Sequence, residues 1–181
     1  MRFIIFILII FYISQVHSND VGTVTGYKIP RFVVLKSDDV NLRVGPSINY
    51  PILVKYVIKN LPIEIIDEHE SWRQVKDIQN NIGWIHKSLL KGDRYGIVNS
   101  NENKAPIYNF PKGEYIGYIG NRNIVKIKTC IEKWCFINLD DKKGWINKNN
   151  LWGVYMLEIY KVRFYQPLLN FYWKLRLKFN Y

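Results

Sequence analysis

One pattern of tryptophan and glycine occurs twice in this chain, and it constrains the fold more than any other feature. Trp72 is followed by Gly83-Trp84-Ile85, and Trp134 is followed by Gly144-Trp145-Ile146. The leading tryptophan recurs after 62 positions and the Gly-Trp-Ile triplet after 61. Because a spacing kept to within one residue seldom arises by chance, it indicates two copies of one small module.

Short strands separated by turn signals fill the first copy. The chain has 181 residues, so each copy holds about sixty, which is near the lower limit for a domain with its own core. Five or six short runs between residues 31 and 91 are β-branched or alternate in polarity, with Gly, Pro and polar turns between them. None of these runs has a helical period, and the pattern predicts a small β-barrel or sandwich.

The tryptophans of the first copy are predicted to lie on the outside of this barrel or in a groove. Side chains alternate between the two faces of a strand, so Trp72 and Val75, three residues apart, face opposite sides. The neighbours Trp84 and Ile85 must also face opposite sides. If Val75 and Ile85 fill the core, both tryptophans point outward, although a β-bulge would reverse this assignment.

The first 18 residues have the pattern of a secretory signal peptide. A basic start at Arg2 precedes an apolar run of 11 residues, and Val16 and Ser18 suit cleavage after Ser18. The alternative is an uncleaved N-terminal anchor, but the run is shorter than the roughly 20 residues that span a bilayer. We therefore expect export to the periplasm or cell envelope. Residues 19–30, which are polar and contain glycine, are predicted to form a flexible lead.

The two cysteines of the chain, Cys130 and Cys135, are predicted to form a disulfide. Export would place them in an oxidising compartment. The four residues between them would put them opposite each other across a hairpin, about 4.5–5.5 Å apart at Cα, which overlaps the disulfide range of about 4.4–6.8 Å. Free thiols are the alternative. A metal site needs about four ligands, and the remaining candidates, His69 and His86, lie in the other copy.

Positive charge is concentrated at the C-terminal end. The formal net charge is +11, and residues 154–181 carry five Lys or Arg against one Glu, interleaved with aromatic residues. Pro167 predicts a break in any helix, and Lys174 to Phe179 alternates with a strand period. This composition suits an anionic membrane surface; it equally suits nucleic acid, against which export argues. The alternatives are a segment folded back on the barrels and a tail acquired by a shifted reading frame.

The sequence contains no recognisable catalytic constellation. A papain-like wall peptidase needs an activated Cys beside a His, whereas both cysteines are assigned to a disulfide. The motifs Gly-x-Ser-x-Gly and His-Glu-x-x-His and a phosphate-binding glycine loop are missing from the sequence. Asp67, Glu68 and Glu70 crowd one turn and predict a solvated hairpin tip. We therefore expect a protein that is not an enzyme and that uses no cofactor and no metal.

Several motifs of the chain resemble those of bacterial SH3-like domains. The first copy carries Asn41-Leu42-Arg43, Gly45-Pro46 and Tyr50-Pro51, and the second carries Ala105-Pro106, the two cysteines around Trp134, and Leu-Trp-Gly-Val-Tyr at residues 151–155. The tandem layout resembles a group of exported alphaproteobacterial proteins with two such domains. The resemblance covers about residues 31–155. It implies barrels of five to seven strands and a non-catalytic envelope role, since such domains often bind cell-wall peptide or flank a wall hydrolase.

We therefore predict an all-β chain of two small SH3-like β-barrels in tandem. The first barrel is assigned to residues 31–91 and the second to residues 103–155, and the two are joined as separate units near residues 92–102. Tyr95 to Val98 in this linker could add a further strand. The signal peptide at residues 1–18 precedes the barrels, and a C-terminal tail at residues 156–181 follows them.

Ligand binding is expected in the first copy, because the loop Arg43-Val44-Gly45-Pro46 has no counterpart in the second. SH3-type grooves hold extended ligands between aromatic walls. The predicted ligand is a peptidoglycan peptide or a periplasmic protein, and not nucleic acid. The alternative function is a structural or membrane-peripheral envelope protein acting through its basic aromatic tail. The groove candidates are Arg43, which would bind a carboxylate, and Tyr50, Tyr56, Trp72 and Trp84, each of which could instead pack in its own barrel.

Overall fold

The computed structural model describes residues 21–140 and 142–162 and, in the tail, Leu168, Phe171, Tyr172 and Leu175. The predicted signal peptide and the other tail residues lie outside this part of the chain. Within it the secondary structure is almost entirely β. A search of these residues found no helix with the length and apolar character needed to span a bilayer.

The first barrel is a seven-stranded sheet in the order β3-β2-β6-β5-β4-β1-β7. All of its paired strands are antiparallel. A short 3-10 helix, Lys87–Leu89, joins its last two strands. The strands are β1 (Arg31–Leu35), β2 (Val40–Arg43), β3 (Ile52–Tyr56), β4 (Pro62–His69), β5 (Trp72–Lys76), β6 (Ile82–His86) and β7 (Leu90–Lys91).

The second barrel repeats this arrangement in the order β10-β9-β13-β12-β11-β8-β14. Its 3-10 helix, Lys148–Asn150, again precedes the last strand. Every strand therefore has a counterpart seven places earlier, which confirms the all-β tandem fold. The strands are β8 (Tyr95–Val98), β9 (Lys104–Tyr108), β10 (Tyr115–Gly120), β11 (Ile124–Ile131), β12 (Trp134–Leu139), β13 (Lys142–Asn147) and β14 (Leu151–Trp152).

Strand β8 lies within the interval that the sequence assigned to the linker. It pairs with β11 and β14, so Tyr95–Val98 forms a strand of the second barrel. The connection between the two sheets is then short, running from Lys91 at the end of β7 to Tyr95.

Alternating side chains build the core of each barrel. In the first, Val75 and Ile85 are completely buried, while Trp72 and Trp84 lie on the opposite face and are half-buried. This confirms the faces expected from residue counting. Full burial of one aliphatic side chain contributes about 1.5–3 kcal/mol. The cluster at the centre of the first barrel is Leu35, Val40, Leu42, Tyr56, Ile63, Ile65, Val75 and Ile85.

The glycine of the Gly-Trp-Ile triplet is explained by a close crossing of two strands. A Cβ added at Gly83 would lie 2.6 Å from the carbonyl oxygen of Arg43 and 2.8 Å from Cγ of Leu42. At Gly144 it would lie 3.1 Å from the carbonyl oxygen of Tyr108. Because a side chain there would push the neighbouring strand away, both copies keep glycine at this position.

The lead before the first barrel is ordered, contrary to the expectation of a flexible segment. Val21 pairs with Lys28, and the carboxylate of Glu68 fastens the turn between them. The amides of Val24 and Thr25 donate to Oε2 of Glu68 at 3.1 and 2.8 Å, and the Thr25 hydroxyl donates to Oε1 at 2.7 Å. The composition of residues 21–30 did not reveal this, because the partner is more than forty positions away.

Glu68 is buried at 5% exposure, so the prediction that it lies in a solvated hairpin tip is wrong. It forms ion pairs with Arg31 and Arg73. A β-bulge between Ile65 and Asp67 shifts the register of the β4–β5 hairpin. This shift gives Glu68 the inward position, while Asp67 and Glu70 stay exposed as predicted.

The second barrel has a disulfide where the first has an ion pair. Glu68 is the register partner of Arg73 in the β4–β5 hairpin, and Cys130 is the register partner of Cys135 in the β11–β12 hairpin. The bond between Cys130 and Cys135 is formed, which confirms the predicted disulfide. The two cross-links occupy equivalent positions: one joins β4 to β5 in the first barrel, and the other joins β11 to β12 in the second.

The two barrels are held together by Arg94, which lies between β7 and β8, and by the segment that follows β14. Arg94 donates to the carbonyl oxygens of Phe32 in the first barrel and Gly153 after the second, both at 3.0 Å, and to Glu158 at 2.7 Å. The hydroxyl of Tyr155 donates to Glu64 of the first barrel at 2.8 Å. The barrels are therefore separate sheets, but they are bonded to each other as well as joined by a linker.

Aromatic rings complete this contact between the barrels. The ring of Phe32 lies 5.1 Å from that of Trp152 and 4.8 Å from that of Tyr155. Burial, followed by the hydrogen bond to Glu64, raises the pKa of Tyr155 well above its ordinary value. The motif Leu-Trp-Gly-Val-Tyr thus has a structural role at the interface.

The described residues of the tail are helical only from Leu168 onward, since residues 156–162 form a turn and a bridge to Cys130. Leu168, Phe171, Tyr172 and Leu175 all have helical backbone. The predicted strand period from Lys174 to Phe179 is therefore wrong at Leu175, which is the described residue of that run. The predicted break at Pro167 lies outside the described residues.

Candidate ligand-binding face

Six side chains on the outward side of the first barrel form what we call the first outer face. In one row across the sheet, Arg43 is the register partner of Trp84, and Trp84 of Gln74. In the next row, His69 is the partner of Trp72, and Trp72 of His86. The first outer face consists of Arg43, His69, Trp72, Gln74, Trp84 and His86.

Histidines and tryptophans alternate on this face and pack edge to face. The ring of Trp72 lies 5.4 Å from that of His86, and the ring of Trp84 lies 6.3 Å from that of His69. Both pairs have an interplanar angle of 79°. Such T-shaped contacts orient the tryptophans, and each indole remains partly exposed.

His86 also ends a strand and caps the 3-10 helix that follows. Its Nδ1 accepts the Ser88 amide at 3.4 Å and lies 2.8 Å from the Ser88 hydroxyl. When Nδ1 is an acceptor, the proton of the neutral ring is on Nε2. His86 therefore presents an N–H donor beside Trp72.

Arg43 fixes the loop that borders the first outer face. Its Nη1 donates to the carbonyl oxygen of Tyr50 at 2.8 Å, and the Tyr50 ring covers Gly45, where an added Cβ would lie 2.7 Å from the ring. Tyr50 is 47% exposed. A guanidinium carries five N–H donors, so Arg43 is able to hold the loop and a ligand carboxylate together.

Tyr56 does not belong to the candidate groove. It is 8% exposed and packs in the core of the first barrel, because its register partner in β2 is the core residue Val40. Its hydroxyl donates to Asp77 at 2.9 Å. Burial and this bond raise the pKa of Tyr56 well above its ordinary value. The structure thus brings Arg43, Trp72 and Trp84 together, with Tyr50 beside them, and leaves Tyr56 inside.

Sequence reasoning missed His69, Gln74 and His86. Gln74 and His86 lie two residues from Trp72 and Trp84 on the same strands, so the period of two that placed the tryptophans would also have placed them. His69 required the register of the β4–β5 hairpin, which the bulge after Ile65 shifts. That shift leaves no mark in the alternation of the sequence.

The register defines an equivalent second outer face on the second barrel. Trp145 is the partner of both Tyr108 and Phe136, and Trp134 is the partner of both Ile131 and Asn147. The histidines, Gln74 and Arg43 of the first face are thus replaced mainly by apolar and aromatic residues. The second outer face consists of Tyr108, Ile131, Trp134, Phe136, Trp145 and Asn147.

The second outer face is covered in part by its own barrel: Ile131 and Trp145 are buried, while its other four residues are half-buried. Phe110, Ile131 and Trp145 form a buried cluster against which Trp134 and Phe136 pack. Trp145 is 6% exposed, whereas its counterpart Trp84 is half-buried. Phe110 lies in the β9–β10 connection, at residues 109–114, and the corresponding β2–β3 connection carries the exposed Tyr50. The position of Trp84 is therefore open in the first barrel, and the equivalent position of Trp145 is closed in the second.

The first outer face offers flat aromatic surfaces and hydrogen-bond donors. These groups suit non-covalent recognition of an extended ligand. Among the described residues, no group of three or more His, Cys, Asp or Glu is placed to hold a metal ion.

Both barrels match the model of the bacterial SH3 domain, over residues 36–92 and 102–153. These segments make up more than half of the chain, so the chain belongs to the bacterial SH3 domain family. Comparison with curated proteins found no match.

Two solved structures from Trichomonas vaginalis are similar to this chain at low identity. NlpC2 is 18% identical with a TM-score of 0.32, and the match covers 70% of this chain and 49% of that one. NlpC1 is 17% identical with a TM-score of 0.31, covering 72% and 48%. The chain thus spans about half the length of these two proteins.

Proposed function

We propose that this protein is a non-catalytic binding module of the cell envelope, and that the first outer face binds a peptide of peptidoglycan or of a periplasmic partner. One observation carries the proposal: Trp84 is partly exposed on the first outer face, whereas its counterpart Trp145 is buried on the second. Since the two barrels share one fold, an open face is not a requirement of that fold. A tryptophan that stays partly exposed at this position in one copy alone is consistent with a binding site there.

The chemistry of the first outer face suits an extended peptide. Trp72 and Trp84 supply flat surfaces for apolar or ring-bearing side chains, and tryptophan and arginine are common anchors of binding surfaces. Arg43 is suited to a carboxylate of the ligand. The amide of Gln74 and the Nε2–H of His86 are suited to its backbone.

Further observations support a binding role over a catalytic one, and a location in the cell envelope. Both cysteines of the chain are in the disulfide, so neither is available as a thiolate nucleophile. A disulfide and a predicted signal peptide are both consistent with an exported protein. Membership of the bacterial SH3 domain family supports a role as an accessory module, although one fold serves many functions.

Removing two groups from the first outer face is expected to abolish most binding to purified wall sacculi. In a pull-down, the variant Arg43→Ala, Trp72→Ala should bind at least tenfold more weakly than the parent, because truncating an anchor residue typically costs about 2 kcal/mol or more. The matched control is Tyr108→Ala, Trp134→Ala, which changes the corresponding side of the second barrel and should bind as the parent does.

Circular dichroism must show that both variants are folded at the temperature of the assay. The proposal is wrong if the folded Arg43→Ala, Trp72→Ala variant retains parental binding, or if the control variant alone loses it.

A further inference from the structure

One row of side chains on the outside of the first barrel runs from a positive to a negative charge. Asp67 is the register partner of Gln74, so it extends the row of Arg43, Trp84 and Gln74 by one strand. The bulge after Ile65 turns Asp67 outward, and the residue is exposed. We call this set the charged row; in order from β2 to β4 it consists of Arg43, Trp84, Gln74 and Asp67.

The charged row has the length of a short extended peptide. Strands β2 and β4 are three steps apart in the sheet. Neighbouring strands lie about 4.8 Å apart, so the two ends of the row are separated by about 14 Å along the sheet. An extended chain spans about 3.3–3.6 Å per residue, and about four residues of a ligand would therefore reach from one charge to the other. Such a ligand passes over the indole of Trp84 and the amide of Gln74.

Both charged groups are held in place and keep capacity for a ligand. The bond from Arg43 to the carbonyl oxygen of Tyr50 uses one of the five N–H donors of a guanidinium. At the other end, Oδ1 of Asp67 accepts the amide of Glu68 at 2.7 Å. A carboxylate has two oxygens with two lone pairs each, so Asp67 is able to accept further hydrogen bonds from an ammonium group.

The equivalent row of the second barrel is uncharged. Trp145 is the register partner of both Tyr108 and Phe136, and Phe136 is the partner of Thr129. Thr129 stands in the position of Asp67, again after a bulge. Its hydroxyl donates at 2.9 and 3.1 Å to carbonyl oxygens of the segment that follows β14. Since the two barrels share one fold, the fold does not require opposite charges at the ends of this row, and recognition of a ligand accounts for them.

We propose that the charged row binds an extended peptide that places an ammonium group at Asp67 and a carboxylate, about four residues away, at Arg43. This inference rests on the proposed function of the first outer face. It adds the charge pattern of the ligand and its direction, which is across the strands from β4 to β2. Asp67 is then a specificity-determining residue, because its carboxylate favours ligands with a positive group at that end over ligands without one.

Acetylation of the peptide amino groups is expected to weaken binding only when Asp67 is present. The probe is the soluble peptide fraction released from sacculi, titrated into the protein by calorimetry before and after acetylation. The parent should bind the acetylated fraction about fivefold more weakly, which is near the upper value for an exposed ion pair. Asp67→Asn should bind both fractions equally, and asparagine keeps an oxygen for the Glu68 amide. Glu70→Gln, which neutralises an exposed carboxylate outside the row, should show the parental loss.

Two further treatments identify the groups of the ligand. Acetylation at about pH 7 modifies mainly chain-end amino groups, and at about pH 10 side-chain amino groups as well, because their pKa values are about 8 and about 10.4. The treatment at which binding falls shows which amino group meets Asp67. Converting the ligand carboxylates to amides should weaken binding by the parent about fivefold and should not change binding by Arg43→Gln.

Equal binding of the untreated and acetylated fractions by the parent would overturn the inference. A loss on acetylation that persists in Asp67→Asn, or that disappears in Glu70→Gln, would also overturn it. Fragment binding that is independent of these charges leaves the proposed function of the first outer face intact. Absence of any binding by the parent would instead contradict the proposed function for this probe, and the inference with it, so the two failures are distinguishable.

Discussion

Replacing Glu68 by glutamine is expected to destabilise the first barrel by roughly 3–5 kcal/mol, because it breaks a buried ion pair and leaves buried positive charge uncompensated. The side chain of Glu68 is completely buried, while those of Arg31 and Arg73 are 20% and 5% exposed. The same change weakens the bonds that hold Val24 and Thr25. Urea denaturation should show the loss, and proteolysis within residues 21–28 should become faster.

The exposed neighbour Glu70 provides the control for this experiment. Its side chain lies in solvent at the turn between β4 and β5, so Glu70→Gln should change the free energy of unfolding by less than about 0.5 kcal/mol. Equal effects of the two substitutions would show that the buried carboxylate does not hold the barrel.

The contribution of Glu68 should also depend on pH in a defined direction. Burial raises its pKa, but the hydrogen bonds from Arg31, Thr25 and Val24 outweigh burial and lower the pKa to about 2. Because the pKa is lower in the folded chain than in the unfolded one, the stabilisation is present above pH 4.5 and is lost as the pH falls toward 2. The difference in unfolding free energy between the parent and Glu68→Gln should therefore shrink over that interval.

Replacing Arg94 by alanine is expected to uncouple the two barrels. The substitution removes the bonds to Phe32 and Gly153 and leaves the half-buried Glu158 without its cation. Breaking a buried pair of this kind costs roughly 3–5 kcal/mol, and here the loss falls on the contact between the barrels. Calorimetry should show one unfolding transition for the parent and two for the variant.

Lys128→Ala is the matched control for Arg94→Ala. It removes an exposed cation of the second barrel and should leave a single transition. A single transition for Arg94→Ala as well, at the parental temperature, would contradict the role assigned to Arg94.

The features that could be predicted from the sequence are those set by local periods. The alternation along β5 and β6 placed Trp72 and Trp84 outside and Val75 and Ile85 inside. The hairpin spacing of Cys130 and Cys135 predicted their bond. In each case the information lies within a few residues, and the physical rule is a strand period or a turn length.

The features that could not be predicted depend on partners far away in the sequence. Glu68 bonds to residues up to 44 positions away, and its inward position depends on a bulge. The groove position predicted for Tyr56 is wrong, because its pairing with the core residue Val40 depends on the strand register and cannot be read from the local sequence. Phe110 carries no mark showing that it covers Trp145, since that contact depends on the fold of a loop.

The two barrels cross-link the equivalent hairpin with different pairs of side chains. At equivalent positions of the hairpin, the first uses Glu68 and Arg73 and the second uses Cys130 and Cys135. A neighbouring segment is fastened at this place in each barrel: residues 23–25 on the first and residues 160–161 on the second. The pattern indicates that the hairpin end is the anchoring point for whatever precedes or follows a barrel.

If the first outer face binds a ligand and the second does not, the indole N–H groups of the four tryptophans on these faces report the difference directly. Nitrogen-15 labelled protein should be titrated with soluble peptide fragments released from sacculi, and the tryptophan side-chain signals followed by NMR. The signals of Trp72 and Trp84 should shift on binding, while those of Trp134 and Trp145 should not. Shifts confined to Trp134 and Trp145, or unchanged signals of Trp72 and Trp84 at saturating fragment, would contradict the claim.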